Sequence, residues 1–149
     1  MRYKDTGNVH LDFHGAVNTT INYIVKKFGV DALHDTFFKT GRDVYKSIRE
    51  KLSKGDCSEL VEHWSYYFDR EKGKYRIVTE KDRVILHVDE CPAVRQVKKL
   101  GLTLSPNFCD QTEYVNKGMC HKTGFVIETV KTGECSCVQT LRRIKHDTK

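Results

Sequence analysis

The chain has 149 residues, with 26 Lys and Arg against 20 Asp and Glu for a formal net charge of +6, and it carries six Cys and two Pro. At this length a folded chain buries roughly 68–70% of its unfolded surface, enough for a single domain over residues 1–149 with a core of its own. No strictly apolar run exceeds three residues. A membrane span needs about 20, and the start MRYKDTGNVH has no apolar stretch of a secretory leader. The reading is therefore a cytoplasmic protein with no membrane partner.

The first half has helical periodicity. Phe13, Val17, Ile21, Ile24 and Phe28 recur every three or four residues and predict an amphipathic helix ending at Gly29, with His14 at the edge of its inward stripe. Asp31 can cap a second helix that turns Leu33, Phe37, Val44, Tyr45, Ile48 and Leu52 inward and stops before Gly55, with Gly41 weakening its middle. A third helix starts at Asp56, with Glu59 three residues on as in a capping box, and buries Leu60, Trp64, Tyr67 and Phe68.

The period then changes to two. Tyr75–Ile77 and Val84–Val88 alternate about a turn at Lys81-Asp82, which predicts an antiparallel hairpin. Cys91-Pro92 opens a short helix, because proline suits the first helical position. Ser105-Pro106 repeats the signal for a helix running to about Cys120, and residues 125–130 and 137–144 read as two strands joined through Thr132-Gly133. The expected architecture is α+β, with the N-terminal helices packed on one face of a four-stranded antiparallel sheet.

The basic residues are spread along the chain, and the one dense cluster is Arg142, Arg143, Lys145 and Lys149. No zinc-finger spacing, RNP-like motif or recognition helix accompanies them, so the charge reads as a solvated surface and no nucleic-acid partner is expected. The cysteines include no C-x2-C pair, and in a reducing compartment no disulfide framework is expected.

Function turns on the cysteines and the polar residues near them. Cys91 adjoins the helix opened by Pro92, and Cys109 lies one turn into the helix opened by Pro106. A helix N-terminus favours thiolate over thiol, which would make either a nucleophile at neutral pH. The alternative is a small buried hydrophobe. Thr112, Asn116 and Cys120 share the helix face of Cys109, and buried amides need partners. On the last strand Cys135, Cys137, Gln139 and Leu141 share one face, and Glu128, between Val126 and Val130, is expected to point inward. Such a set would line a cavity. Cys109, Glu128, Cys135 and Cys137 are also zinc-compatible in type, but their spacing is unspecific, and neither a metal nor a cofactor is expected.

Over residues 87–139, Cys91-Pro92-Ala93, Ser105-Pro106-Asn107-Phe108-Cys109, Gly124-Phe125 and Gly133-Glu134-Cys135-Ser136-Cys137 resemble the L-2-amino-thiazoline-4-carboxylic acid hydrolase-like family, and Asp12-Phe13-His14 and His63-Trp64 are compatible with it. The resemblance implies hydrolytic opening of a cyclic C–N substrate. The same half is similar to the 4-vinyl-reductase-type ligand-binding domain of bacterial aromatic sensors. In that family a zinc is held by cysteines and an acid, to which Cys109, Glu128 and Cys137 would correspond, with Lys131 standing where a further cysteine would be.

Two functions are therefore expected in competition. In the first, a hydrolase, Cys109 (with Cys91 as reserve) attacks an amidine carbon and His14 serves as acid–base partner. Thr112, Asn116 and Gln139 bond the substrate there, and Trp64 forms an apolar wall. The second is a non-catalytic module that holds a small aromatic or heterocyclic ligand in the same cavity, with Glu128 and Cys137 also at its margin. The sequence does not fix an oligomeric state.

Overall fold

A computed structural model describes residues 3–144. The described elements are helices α1 (Phe13–Phe28), α2 (Val30–Asp43), α3 (Lys46–Ser53) and α4 (Ser58–Arg70), strands β1 (Lys74–Thr79) and β2 (Arg83–Glu90), helices α5 (Pro92–Lys99) and α6 (Asp110–Met119), and strands β3 (Phe125–Lys131) and β4 (Cys137–Arg143). The strands form one antiparallel sheet in the order β1-β2-β4-β3. The α+β architecture with N-terminal helices is as the periodicities predict. Lys145 and Lys149 of the basic cluster lie outside the described residues.

The period of two on the strands sets the inner face of the sheet. Val84, Leu86 and Val88 of β2, Leu141 of β4, and Phe125 and Ile127 of β3 are buried against Ile48 and Leu52 of α3, Leu60 and Trp64 of α4, and Met119 at the end of α6. A second core joins Ile21 of α1 and Leu33 of α2 to Ala93, Val94 and Val97 of α5 and to Phe108. Burying a Leu or Ile side chain contributes roughly 1.5–3 kcal/mol, so both cores hold their helices firmly. Cys91 packs against both cores and lies where they meet.

Three local readings are corrected. The long second helix is two helices, broken at Val44 and Tyr45, and Tyr45 caps α3 outside helical geometry at φ −93° and ψ 34°. Gly41 does not break it. A Cβ there would lie 2.1 Å from the Val115 carbonyl oxygen, and one on Gly118 would lie 2.1 Å from that of Phe38. The two glycines face each other where α2 crosses α6, and only residues without a Cβ allow that approach.

The helix expected from Ser105 begins instead at Asp110, after turns in which Phe108 N–H bonds Ser105 O at 3.0 Å and Asp110 N–H bonds Asn107 O at 3.1 Å. The Asn107 side chain bonds Asp110 Oδ2 at 2.8 Å, and His34 Nε2 meets the same oxygen at 2.8 Å. These bonds stabilise the turn against a further helical turn, so Cys109 is the N-cap of α6 rather than a residue one turn inside it.

The inward face of α1 keeps the middle of the apolar stripe but not its ends: Ile21 is buried with Val17 and Ile24 packed on the second core, Phe13 and Phe28 are exposed, and His14 and Asn18 are buried beside the stripe. Asn18 accounts for itself: its Nδ2 donates to Thr103 O at 3.0 Å and its Oδ1 accepts from Ser105 N–H at 2.8 Å. It thereby fixes the segment that delivers Phe108 and Cys109.

Candidate functional site

A cavity of about 370 Å³ lies where the two cores meet. Its walls come from α4 (His63, Trp64, Tyr67, Phe68), the start of α5 (Cys91 to Val94), and α6 with its preceding turn (Phe108, Cys109, Gln111, Thr112, Val115, Asn116, Met119); Phe13 of α1, Gln139 of β4, Tyr45 and Glu71 complete them. The volume is that of a small-ligand site of the usual largely apolar kind, with a few placed polar groups.

One end is a polar network. Asn116 and Gln139 are buried, and Asn116 Nδ2 donates to Gln139 Oε1 at 2.8 Å and reaches Thr129 Oγ1 at 3.4 Å. Gln139 Nε2 in turn faces Cys137 Sγ at 4.0 Å. The inward face expected for Gln139 and Leu141 is observed, and Asn116 does find partners.

The other end is aromatic and carries a carboxylate. The His63 ring sits edge-on between Tyr45 and Tyr67, with centroids 5.1 and 4.8 Å away. Burial holds its pKa down to about 4, so the ring is neutral near pH 7. Its Nδ1 is buried without a hydrogen-bond partner. Glu71, at the C-cap of α4, is 8% exposed and accepts a 2.9 Å hydrogen bond through Oε2 from His14 Nε2. His14 Nδ1 is buried without a partner.

The cavity thus brings Trp64, Cys91, Cys109, Thr112, Asn116 and Gln139 onto one wall system, with Cys137 beside Gln139. His14 stands behind Glu71 rather than on the wall, and its Nε2 is committed to that carboxylate. Glu128 corrects its expectation. It is paired across the ladder with Thr140, its side chain is 52% exposed, and it bonds Arg142 on the face of the sheet away from the cores. Glu128 therefore does not join Cys109 and Cys137. Among the described residues, no group of three His, Cys, Asp or Glu is arranged to hold a metal ion.

The thiols differ from expectation in their acidity. Burial pushes Cys91 up even though the Ala93 and Val94 N–H groups pull it down. Burial also raises Cys109, which Lys131 only partly offsets and to which Asp110 and Cys135 add. Cys137 is pushed up to about 11, chiefly by burial. At Cys91 and Cys109 desolvation of the charged form outweighs the helix N-terminus.

Sequence reasoning did not place His63 or Glu71 in the site; the signal that could have found Glu71 is an acid at a helix C-terminus, which opposes the helix dipole and asks for a reason. Compared with known proteins, the chain matches no family model and none of the curated proteins.

Proposed function

We propose that the chain is a binding module for a small aromatic or heterocyclic molecule, held in the cavity between the two cores. The aromatic walls around Trp64 and Tyr67, opposed by the Asn116–Gln139 network, carry this reading. A flat ring would lie against the aromatic walls, and its polar substituents would meet hydrogen-bonding groups at the two ends. Trp64 is the chain's one tryptophan, so its fluorescence reports occupancy directly. Titration with a panel of single-ring aromatic and heterocyclic compounds should produce saturable changes in Trp64 emission. No response from any compound up to millimolar concentrations would refute the reading.

The hydrolase reading rests on Cys91 and Cys109, which both cap helices in the cavity wall. It requires turnover of a 2-aminothiazoline carboxylate that Cys109→Ser abolishes. Saturable binding without turnover separates the module from the enzyme.

A further inference from the structure

The charge distribution of the cavity is the opposite of the chain's. The protein has a formal net charge of +6, yet its cavity wall includes no Lys or Arg among the described residues. The one formally charged side chain in that wall, among the described residues, is Glu71. Among the described residues, no hydrogen bond reaches its Oε1, whereas His14 holds Oε2. Arg95, which bonds the Glu71 backbone, is occupied elsewhere: it bonds the Glu90 carboxylate and the carbonyl oxygens of Glu71 and Lys72. His63 is held neutral by its burial and so brings no compensating charge.

Around the carboxylate the walls are aromatic. Tyr67 and Phe68 lie on the last turn of α4 before Glu71, Phe13 reaches over from α1, and Trp64 lies one turn earlier. The Phe13 ring rests on His14 with centroids 3.9 Å apart, so one contact positions both the imidazole and a wall of the cavity. Ring faces attract cations, and an accepting carboxylate beside them adds a charge-assisted hydrogen bond. An anion placed there would face Glu71 with no positive group in the wall to offset it.

Resting on the reading of the cavity as a ligand site, we infer that it selects a protonated amine carried on an aromatic ring, with Glu71 as the acceptor of the ammonium and His14 as its positioning residue. A neutral ring compound binds less tightly and an anionic one least. Binding involves no bond making; the ammonium donates an N–H to Glu71 Oε1, and the ring lies among Trp64, Tyr67 and Phe68.

The test uses three probes of like size on the full chain: benzylammonium, benzyl alcohol and benzoate. Affinities are measured by Trp64 fluorescence and by nuclear magnetic resonance shifts of the Trp64 indole and the Asn116 and Gln139 side-chain amides. Benzylammonium should bind at least about tenfold tighter than benzyl alcohol, the worth of one hydrogen bond to a charged group, and benzoate most weakly. Glu71→Gln keeps an oxygen for His14 but turns a donor toward the ligand, so the preference for benzylammonium over benzyl alcohol should fall by about tenfold. Equal or tighter binding of benzyl alcohol or benzoate by the native chain overturns the inference and leaves the cavity reading standing. Failure of all three probes to shift Trp64 overturns both. Ammonium binding that shifts only residues outside the cavity also overturns the inference. The ranking by the native chain decides the matter if Glu71→Gln does not fold.

Discussion

Acidification should destabilise this protein through His63. The imidazole is held at about 4 when folded and returns to about 6.5 when the chain unfolds. As pH falls, the unfolded state therefore takes up a proton first. The stability is fully present above pH 6.5 and is lost progressively down to about 4. Over the whole window the loss is about 3 kcal/mol at 1.36 kcal/mol per unit, and about 2 kcal/mol of it has gone by pH 5. His63→Phe is the matched perturbation. The Nδ1 atom it removes has no hydrogen bond to lose, and a phenyl ring can keep the edge-on contacts with Tyr45 and Tyr67. Urea unfolding of both proteins at pH 7.5, 6.5, 5.5 and 5.0 is the assay. The native curve should steepen relative to His63→Phe by about 2 kcal/mol between the first and last pH. Parallel curves would refute the claim that burial keeps His63 neutral.

The remaining expectations concern packing and thiols. Gly118→Ala sets a Cβ against the Phe38 carbonyl at 2.1 Å, forces α2 from α6, and should cost about 1–3 kcal/mol or more in thermal unfolding; an unchanged melting temperature would deny the close crossing. Asn116→Leu leaves Gln139 without its 2.8 Å partner and should cost about 1–3 kcal/mol, of which adding Gln139→Leu recovers part, as a double-mutant cycle would show. At pH 7 Cys137 should react with a thiol reagent far more slowly than free cysteine, because a pKa two units higher leaves about a hundredfold less thiolate. Fast, ligand-protected labelling of Cys109 would instead favour the nucleophile. Val115→Leu places one more methylene into the cavity, so it should stabilise the ligand-free protein by up to about 0.8 kcal/mol while weakening ligand binding; destabilisation would mean that the space is already filled.

What could be read from the residues was what repeats. The alternation of Val84, Leu86 and Val88 places β2 and its inner face, and the turn at Lys81-Asp82 follows from where that alternation pauses. Pro92 fixes the start of α5 in the same local way. Of the site, Trp64, Thr112, Asn116 and Gln139 were legible because polar or aromatic residues at inward positions need an explanation wherever they occur. The failures come from interactions between distant segments. Gly41 looks like a mere weak point in the helix until Gly118, 77 positions later, lies against it. Glu128 sits between two valines as an inward residue would, but β3 turns Phe125 and Ile127 toward the core, which leaves Glu128 to Arg142. The full burial of His14 and Asn18 on α1 was hidden for a related reason: Glu71 and the 103–105 segment satisfy them. No stripe of apolar residues along α1 contains that information.

The positions that resist sequence reading are also the ones that work against stability. An open cavity forfeits contacts that a packed core would make, and mutational series put that cost at about 24 cal/mol per Å³ of void. His63 and His14 each keep a buried nitrogen without a partner, a deficiency that usually costs about 1–3 kcal/mol. Glu71 sets a carboxylate at the end of a helix whose dipole opposes it. Any one of these could be an accident of packing. Two of them, His63 and Glu71, lie in the wall of the same cavity, and His14 is bonded to Glu71 directly behind it. A ligand that fills the space and meets the carboxylate would recover much of this cost, and it would raise the unfolding free energy by about 2.7 kcal/mol at a hundred times its Kd.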